Sequence, residues 1–321
     1  VSKKNTFKDS LKLMQHRGPN NMSVYYNANV SLGHTRLSII DLDESSNQPF
    51  ISECKRYVLI FNGEIYNFIE LRRELIKKGF SFKTNSDTEV ILKSFINHGI
   101  DCVKNFNGMF SFIIYDNLTE DIFFARDRFG IKPLFYFKTE DEIIFSSEIN
   151  PIINLIDDYS LNKTSILSFF YFRQPLLNKT FFNEINKIPS ASYGHIKNFN
   201  ISIKKYWHLE ETFKSKTLNF SADKIYGLLN NSVNLRTRSD VPVCSFLSGG
   251  LDSSIISYLL SVNNNKRINT FSIGFEDNGY NESNFSNLMA SFINSEHHTY
   301  IFSKINYFKD FDKLTKTKGA P

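Results

Sequence analysis

The stretch Ser245-Phe-Leu-Ser-Gly-Gly-Leu-Asp-Ser-Ser254 limits what this chain can fold into more than any other. Ahead of it, Val241, Val243, Phe246 and Leu247 make a short apolar run of strand character, and Gly249 and Gly250 interrupt it. From Ser253 the run Ser-Ser-Ile-Ile-Ser-Tyr-Leu-Leu predicts a helix with an apolar face. A strand that turns through two glycines into a helix start brings backbone N–H groups and the positive end of a helix dipole to one point. With hydroxyls from Ser248, Ser253 and Ser254 added, the loop reads as one built to hold pyrophosphate.

The Walker pattern is absent, because Gly250 is followed by Leu-Asp rather than by Lys and a hydroxyl residue. An aspartate inside a phosphate loop is unfavourable unless a divalent cation lies between them, so Asp252 points to Mg²⁺ as its metal. The SGG-x-DS string resembles the loop of the ATP pyrophosphatases, which cleave ATP to AMP and pyrophosphate. The competing reading is a Ser/Gly-rich turn between a strand and a helix.

Around the loop the chain alternates helix (222–235), strand (241–247), helix (253–262), strand (268–274), helix (283–292) and strand (298–302). That order predicts an α/β, Rossmann-like parallel sheet. The first two-thirds differ. A helix over 7–15 is followed by strands at 24–26, 31–40, 57–60 and 64–66, by helices at 68–78 and 88–97, and by strands at 109–115, 121–125, 134–137 and 142–146. A short apolar helix and turns fill 166–193, and 192–205 reads as a hairpin. Strands, then helices, then strands predict a layered α+β domain. The expected division is 1–205, a polar linker at 206–220, and 221–321.

The first domain carries a polar constellation in His34-Thr-Arg-Leu-Ser-Ile39, Asn62-Gly-Glu-Ile-Tyr-Asn67 and Asn85-Ser-Asp-Thr-Glu89. Arg36 offers a bidentate fork for a carboxylate. Glu64 and Asp87 can together receive an ammonium group. The Asn62 amide and the Gly63 N–H are the two donor types of an oxyanion hole. A carboxylate receptor, ammonium receptors and an oxyanion hole describe a site for glutamine. Taken singly the residues are blander: Arg36 as a paired strand residue, NGE as a turn, Arg126 and Asp127 as a structural ion pair. His297 and His298 are strand neighbours pointing to opposite faces, which argues against a shared metal.

The strings HRGPN (16–20), RLSI (36–39), NGEIYN (62–67) and SDTE (86–89) resemble the glutaminase domain of class II amidotransferases, of the N-terminal-nucleophile hydrolase type. With RDRFGIKPL (126–134), SSE (146–148) and the SGGLDSS loop, essentially the whole chain is similar to the glutamine-dependent asparagine synthetases. The resemblance implies glutamine, aspartate and ATP as small-molecule partners, with Mg²⁺. It assigns Arg36 and Ile39 to glutamine binding, Glu64 and Asp87 to the α-amine, and Asn62 and Gly63 to the oxyanion. It assigns Leu247, Ser248, Gly249, Gly250, Asp252, Ser253, Ser254 and Ile273 to ATP, Leu247 and Ile273 largely through backbone. An interior path between the two sites is implied as well, and a homodimer is left open. A relative amidating another carboxylate, such as a uronic acid, shares every one of these motifs, and a non-catalytic binder of glutamine or nucleotide is the rival of a different class.

Two departures stand beside the resemblance. Such glutaminases attack with an N-terminal Cys, whereas residue 1 here is Val and the cysteines are Cys54, Cys102 and Cys244. A further Ser-Gly-Glu-Gly-Ala-Asp loop is also expected after Pro321. Both lead to the expectation of a chain truncated at each end, inactive as it stands. The three cysteines lack metal-ligand spacing and suit a reducing cytoplasm, with Cys244 expected as a small buried residue. A mean hydropathy of −0.28 and the lack of any apolar run near the roughly 18 residues of a span predict a soluble chain. A net charge of +5, spread among acidic residues, implies neither nucleic acid nor membrane as a partner.

Overall fold

From its N-terminus the first unit of the computed structural model runs α1 (Ser2–Lys12), β1 (Asn21–Tyr26), β2 (Ser31–Arg36), β3 (Phe50–Ile51), β4 (Tyr57–Ile65), α2 (Phe68–Lys77) and α3 (Asp87–His98). It continues with β5 (Gly108–Asp116), β6 (Ile122–Arg126), β7 (Phe135–Lys138), β8 (Ile143–Ser146), α4 (Ile149–Ile153), α5 (Lys163–Phe172), β9 (Ile185–Lys187), β10 (Ser192–Lys197) and β11 (Asn200–Lys205). The structure describes residues 2–210, 221–276, 281–303, 311 and 315. The chain divides into one unit built on Val1–Ser215 and another on Lys216–Thr317. Residues 211–220 of the expected linker lie outside the described residues.

Period-two alternation sorts the first unit into layers. A six-stranded antiparallel sheet in the order β11-β10-β6-β5-β4-β3 forms its middle. On one face Leu59, Phe61, Phe110, Phe112, Ile114 and Ala125 pack against Phe68, Leu75, Val90, Ile91, Leu92 and Phe95 of α2 and α3. On the other face Val58 and Tyr115 meet Leu32 of the β1-β2 ribbon, while Ile113 and Phe124 meet Leu134 and Ile188 beside the β8-β7-β9 sheet. Helices α1 and α4 lie against β2 and β8. Helix, sheet, sheet, helix is the α+β layering expected from the sequence.

Local chemistry sets the ends of α3, which matters because it carries Asp87. Ser86 caps it by accepting the Thr88 N–H (3.1 Å), and Asp87 and Glu89 occupy its first turn, where the dipole favours anions. Glu89 is buried and takes the N–H groups of Lys83 and Thr84, which ties down the approach to the cap.

Several expected boundaries shift, and the strand expected over 241–247 shortens to Cys244–Phe246. The first helix spans Ser2–Lys12 and gives way to a tighter turn at Gln15–Arg17. The strand expected over 31–40 stops at Arg36, where the chain leaves to wrap the Arg36 guanidinium. The two strands expected at 57–60 and 64–66 are one, β4, which runs straight through Asn62-Gly63 paired residue by residue with β5.

In the second unit helices Ala222–Arg236, Leu251–Val262 and Ser283–Phe292 accompany β12 (Cys244–Phe246), β13 (Asn269–Phe275) and β14 (Glu296–Phe302). The strands pair in parallel in the order β12-β13-β14, as the alternating pattern predicts. The inward face of the sheet is rich in hydroxyls: Ser245 bonds Ser257 (2.8 Å), and Thr270 bonds both Ser295 (2.7 Å) and His297 (2.8 Å). The outward face exposes Phe246, Ile273 and Tyr300. Cys244 lies on that outward face and is exposed, so the expectation of a buried residue fails; alternation along β12 buries Ser245 and Leu247 instead. His297 turns inward and His298 outward onto the Phe271 ring (4.9 Å), the opposite faces expected of strand neighbours. Among the described residues no helix is long and apolar enough to cross a membrane.

Candidate active site

One cavity of about 240 Å³ in the first unit is lined by all six residues that the sequence singles out there: Arg36, Ile39, Asn62, Gly63, Glu64 and Asp87. Its floor is the outer edge of β4. Phe61 gives its N–H to Gln48 Oε1 (2.6 Å) and its carbonyl lies 3.1 Å from His34 Nε2, so its backbone points away from β5. Opposite Gly63, Phe110 gives its N–H to Asp127 Oδ2 and receives the Asp127 N–H on its carbonyl, which leaves neither group for Gly63. Backbone direction alternates along an antiparallel ladder. Phe61, Gly63 and Ile65 therefore present their N–H groups on the same outer edge. The Ile65 N–H is taken by Asp87 Oδ2 (2.9 Å). That of Gly63 opens on the cavity.

Glycine is required at this position for two reasons. Its φ is +148°, and a Cβ would stand 2.1 Å from the Met109 carbonyl oxygen and 2.7 Å from Phe110 Cα. The backbone can thus stay in register with β5 while its free donor faces outward. Asn62, one residue earlier, donates from Nδ2 to Ser147 Oγ (3.3 Å), and Ser147 lines the same cavity.

Charge is distributed unevenly around this edge. Burial raises the Asp87 carboxyl to about 7; the Ile65 N–H pulls it down and the Glu64 charge pushes it up. Burial also raises Glu64, with Lys132 drawing it back. Lys132 lines the cavity, its ammonium pushed down by burial and pulled up by Glu64. Two carboxylates whose charge is not fully compensated form a receptor for a cationic group.

Arg36 lines the cavity, yet its terminal nitrogens are already engaged: Nη1 donates to Asp43 O (2.9 Å) and Asn47 Oδ1 (2.8 Å), and Nη2 to Ile40 O (3.4 Å) and Asp41 O. In this arrangement the guanidinium braces the loop 40–47. Arg126 and Asp127 do not pair with each other as the sequence suggested. Arg126 donates to the carbonyls of Gly130, Lys132 and Ile188, and Asp127 accepts the N–H groups of Phe110, Phe129, Ile131 and Lys132. Each finds backbone partners instead, most of them in the turn between β6 and β7, with Phe110 and Ile188 outside it.

Sequence reasoning passed over Gln48, His34, Lys132 and Ser147 as members of the cavity. His34, Lys132 and Ser147 sit inside strings quoted above, but nothing in a string shows which way a side chain faces. Gln48 lies in none of them.

In the second unit the loop expected to hold phosphate starts the helix Leu251–Val262, with Gly250 at its N-cap. Gly249 has φ +86°, and a Cβ there would meet Phe285 and the Ser286 N–H within 2.6 Å. Ser248 Oγ bonds Ser253 Oγ (2.9 Å) and accepts the Gly250 N–H (3.3 Å), so both hydroxyls stand at the helix start together with Ser254. Leu247 is fully buried and its N–H is bonded to Phe271 O (2.8 Å); Ile273 is exposed on the outward sheet face. Asp252 is exposed in the first turn, and no cluster of three or more metal-ligating side chains occurs among the described residues. The free N–H groups of a helix start and its hydroxyls fit a polyphosphate, and one carboxylate beside them fits a magnesium ion shared with phosphates.

Residues 1–207 match a family described as glutamine amidotransferase domain, and residues 224–320 one described as asparagine synthase. Glutamine-hydrolyzing asparagine synthetase 1 of Bacillus subtilis is 35% identical over 308 residues, covering 94% of this chain and 48% of that protein. Asparagine synthetase 3 of the same organism is 34% identical over 286 residues, covering 87% and 46%. A protein of Gibberella zeae named amidase chry2 is 32% identical over 261 residues, covering 78% and 38%. The chain spans about half the length of the two synthetases.

Proposed function

Since the chain belongs to the glutamine amidotransferase domain family through residues 1–207, we propose that its cavity binds glutamine and that the whole protein transfers the amide nitrogen to aspartate, driven by ATP. Residues 1–205 and 221–321 are the two functional parts, joined by 206–220, and a cytoplasmic location goes with this metabolic role. The observation that carries the reading is the β4 edge. A free Gly63 N–H stands between the Asn62 amide, a second donor for one oxygen, and the Asp87 carboxyl, an acceptor for an ammonium.

In this proposal Asp87 and Glu64 hold the α-ammonium, while the Asn62 amide and Gly63 N–H hold the side-chain oxygen and stabilise charge that develops on it. Arg36 acts on the α-carboxylate through its charge and by fixing the loop from Ile40 to Asn47, with Ile39 beside it. The three cysteines of the chain are absent from the cavity lining. In the second unit Ser248, Ser253, Ser254 and the backbone at Gly249 and Gly250 hold phosphates, Leu247 and Ile273 flank the nucleotide, and Asp252 would hold Mg²⁺. The ion, when bound, offsets phosphate charge and supplies Lewis acidity.

The test is label transfer. The full-length protein given ¹⁵N-amide glutamine, ATP, Mg²⁺ and aspartate is expected to form labelled asparagine with AMP and pyrophosphate. Formation of ADP and phosphate would contradict the loop assignment. Label in another carboxylate and none in aspartate would favour a relative that amidates a different acceptor.

A further inference from the structure

Strand β4 outruns its neighbour. β3 covers it only at Val58 and Leu59, so from Phe61 onward no strand among the described residues pairs with the outer edge. Side chains occupy the gap. Gln48 Oε1 accepts the Phe61 N–H at 2.6 Å, and His34 Nε2 lies 3.1 Å from the Phe61 carbonyl. Both come from elements outside the six-stranded core. Gln48 is buried and donates from Nε2 to Thr88 Oγ1 (3.3 Å) in the first turn of α3. His34 sits on β2, where alternation sends Leu32, His34 and Arg36 to one face and leaves Gly33 against Phe7 and Leu11 of α1 and Thr35 bonded to the Met14 carbonyl on the other.

The Phe61 carbonyl shares a planar peptide with the Asn62 N–H, and Gly63 is the next residue. A turn of that peptide would swing both the Asn62 side chain and the Gly63 donor. We propose that His34 and Gln48 are positioning residues: together they take the place of an edge strand and hold the Asn62 and Gly63 donors at the angle a carboxamide oxygen requires. This rests on the glutamine reading of the cavity. A carbonyl only accepts, so the His34 proton is on Nε2, and Nδ1 is enclosed with no hydrogen-bond partner among the described residues. Burial, followed by the Arg36 charge, lowers the ring to about 4, with the Phe61 carbonyl opposing, so His34 is neutral near pH 7.

The inference is tested with two ligands that share an α-amino-acid end. L-Glutamine needs the Asn62 and Gly63 donors, whereas L-norvaline, with a propyl side chain, makes no use of them. In calorimetric titrations of this chain, His34→Ala and Gln48→Ala are each expected to weaken glutamine about fivefold, the equivalent of one neutral hydrogen bond, and to leave norvaline unchanged. His34→Gln, which restores an N–H donor at similar reach, is expected to recover most of the affinity. Equal losses for both ligands would mean general damage to the cavity and would overturn the inference, as would unchanged glutamine affinity in both alanine variants. Should His34→Ala fail to fold, Gln48→Ala answers the same question. An unmodified chain that binds norvaline as tightly as glutamine would sink the glutamine reading itself.

Discussion

Replacing Asp87 by Asn separates what this residue costs the fold from what it does for a ligand. Asp87 is 4% exposed, its Oδ2 holds the Ile65 N–H at 2.9 Å, and burial lifts its carboxyl from 3.8 to about 7. Asparagine keeps a carbonyl oxygen for Ile65 and removes the charge. The folded form binds the Asp87 proton more tightly than the unfolded chain does. Stability from this group is therefore complete below pH 3.8, falls as pH rises toward 7, and is flat above. The full loss is about 4 kcal/mol, and about 2–3 kcal/mol of it falls between pH 5 and pH 8. Urea unfolding of both proteins at these two pH values is the assay, and Asp87→Asn should gain on the parent by that amount at the higher pH. The same proton should appear in binding: an ammonium ligand favours the charged carboxylate, so glutamine affinity should fall as pH drops through about 7, with proton release on binding. A stability difference between variant and parent that is equal at pH 5 and pH 8 would refute the reasoning.

Gly63→Ala places a Cβ 2.1 Å from the Met109 carbonyl at a φ of +148° and should cost about 2–4 kcal/mol in urea unfolding, so an unchanged midpoint would contradict the close approach. Arg36→Ala removes the donor for Asp43 O, Asn47 Oδ1, Ile40 O and Asp41 O, and should lower stability by about 3 kcal/mol while weakening glutamine binding; weaker binding at unchanged stability would mean that the loop is held by something else. Asp252→Asn should weaken Mg²⁺-dependent ATP binding about tenfold and leave glutamine binding intact, which nucleotide titrations with and without Mg²⁺ would show.

The fold was legible wherever one local signal decided the outcome. Ser86 with Asp87 and Glu89 marks a helix start by capping and dipole alone, and the alternating elements after Ser221 give a parallel sheet. The reading failed at Asn62-Gly63, where a turn signal lies inside a continuous strand. The exchange of bonds between Phe110 and Asp127 makes that possible, and it pairs residues 17 apart in the chain. Cys244 failed for a similar reason: a strand feeding a loop reads as buried, while burial depends on what covers each face of the sheet. Five of the six cavity residues, Arg36, Asn62, Gly63, Glu64 and Asp87, could be read because each offers a polar group with one evident use, while Ile39 came only with the resemblance. Gln48 escaped notice because its value lies in reaching both Phe61 and Thr88, a relation among three separate segments.

The most direct test of the central claim is a ¹H–¹⁵N correlation spectrum of this chain titrated with L-glutamine. The Gly63 N–H opens on the cavity with no acceptor from β5. On addition of glutamine its resonance is expected to move further downfield than any other, with Glu64 and Asp87 shifting beside it and residues 248–254 unmoved. A saturating titration in which Gly63 stays in place while other amides shift would contradict the account.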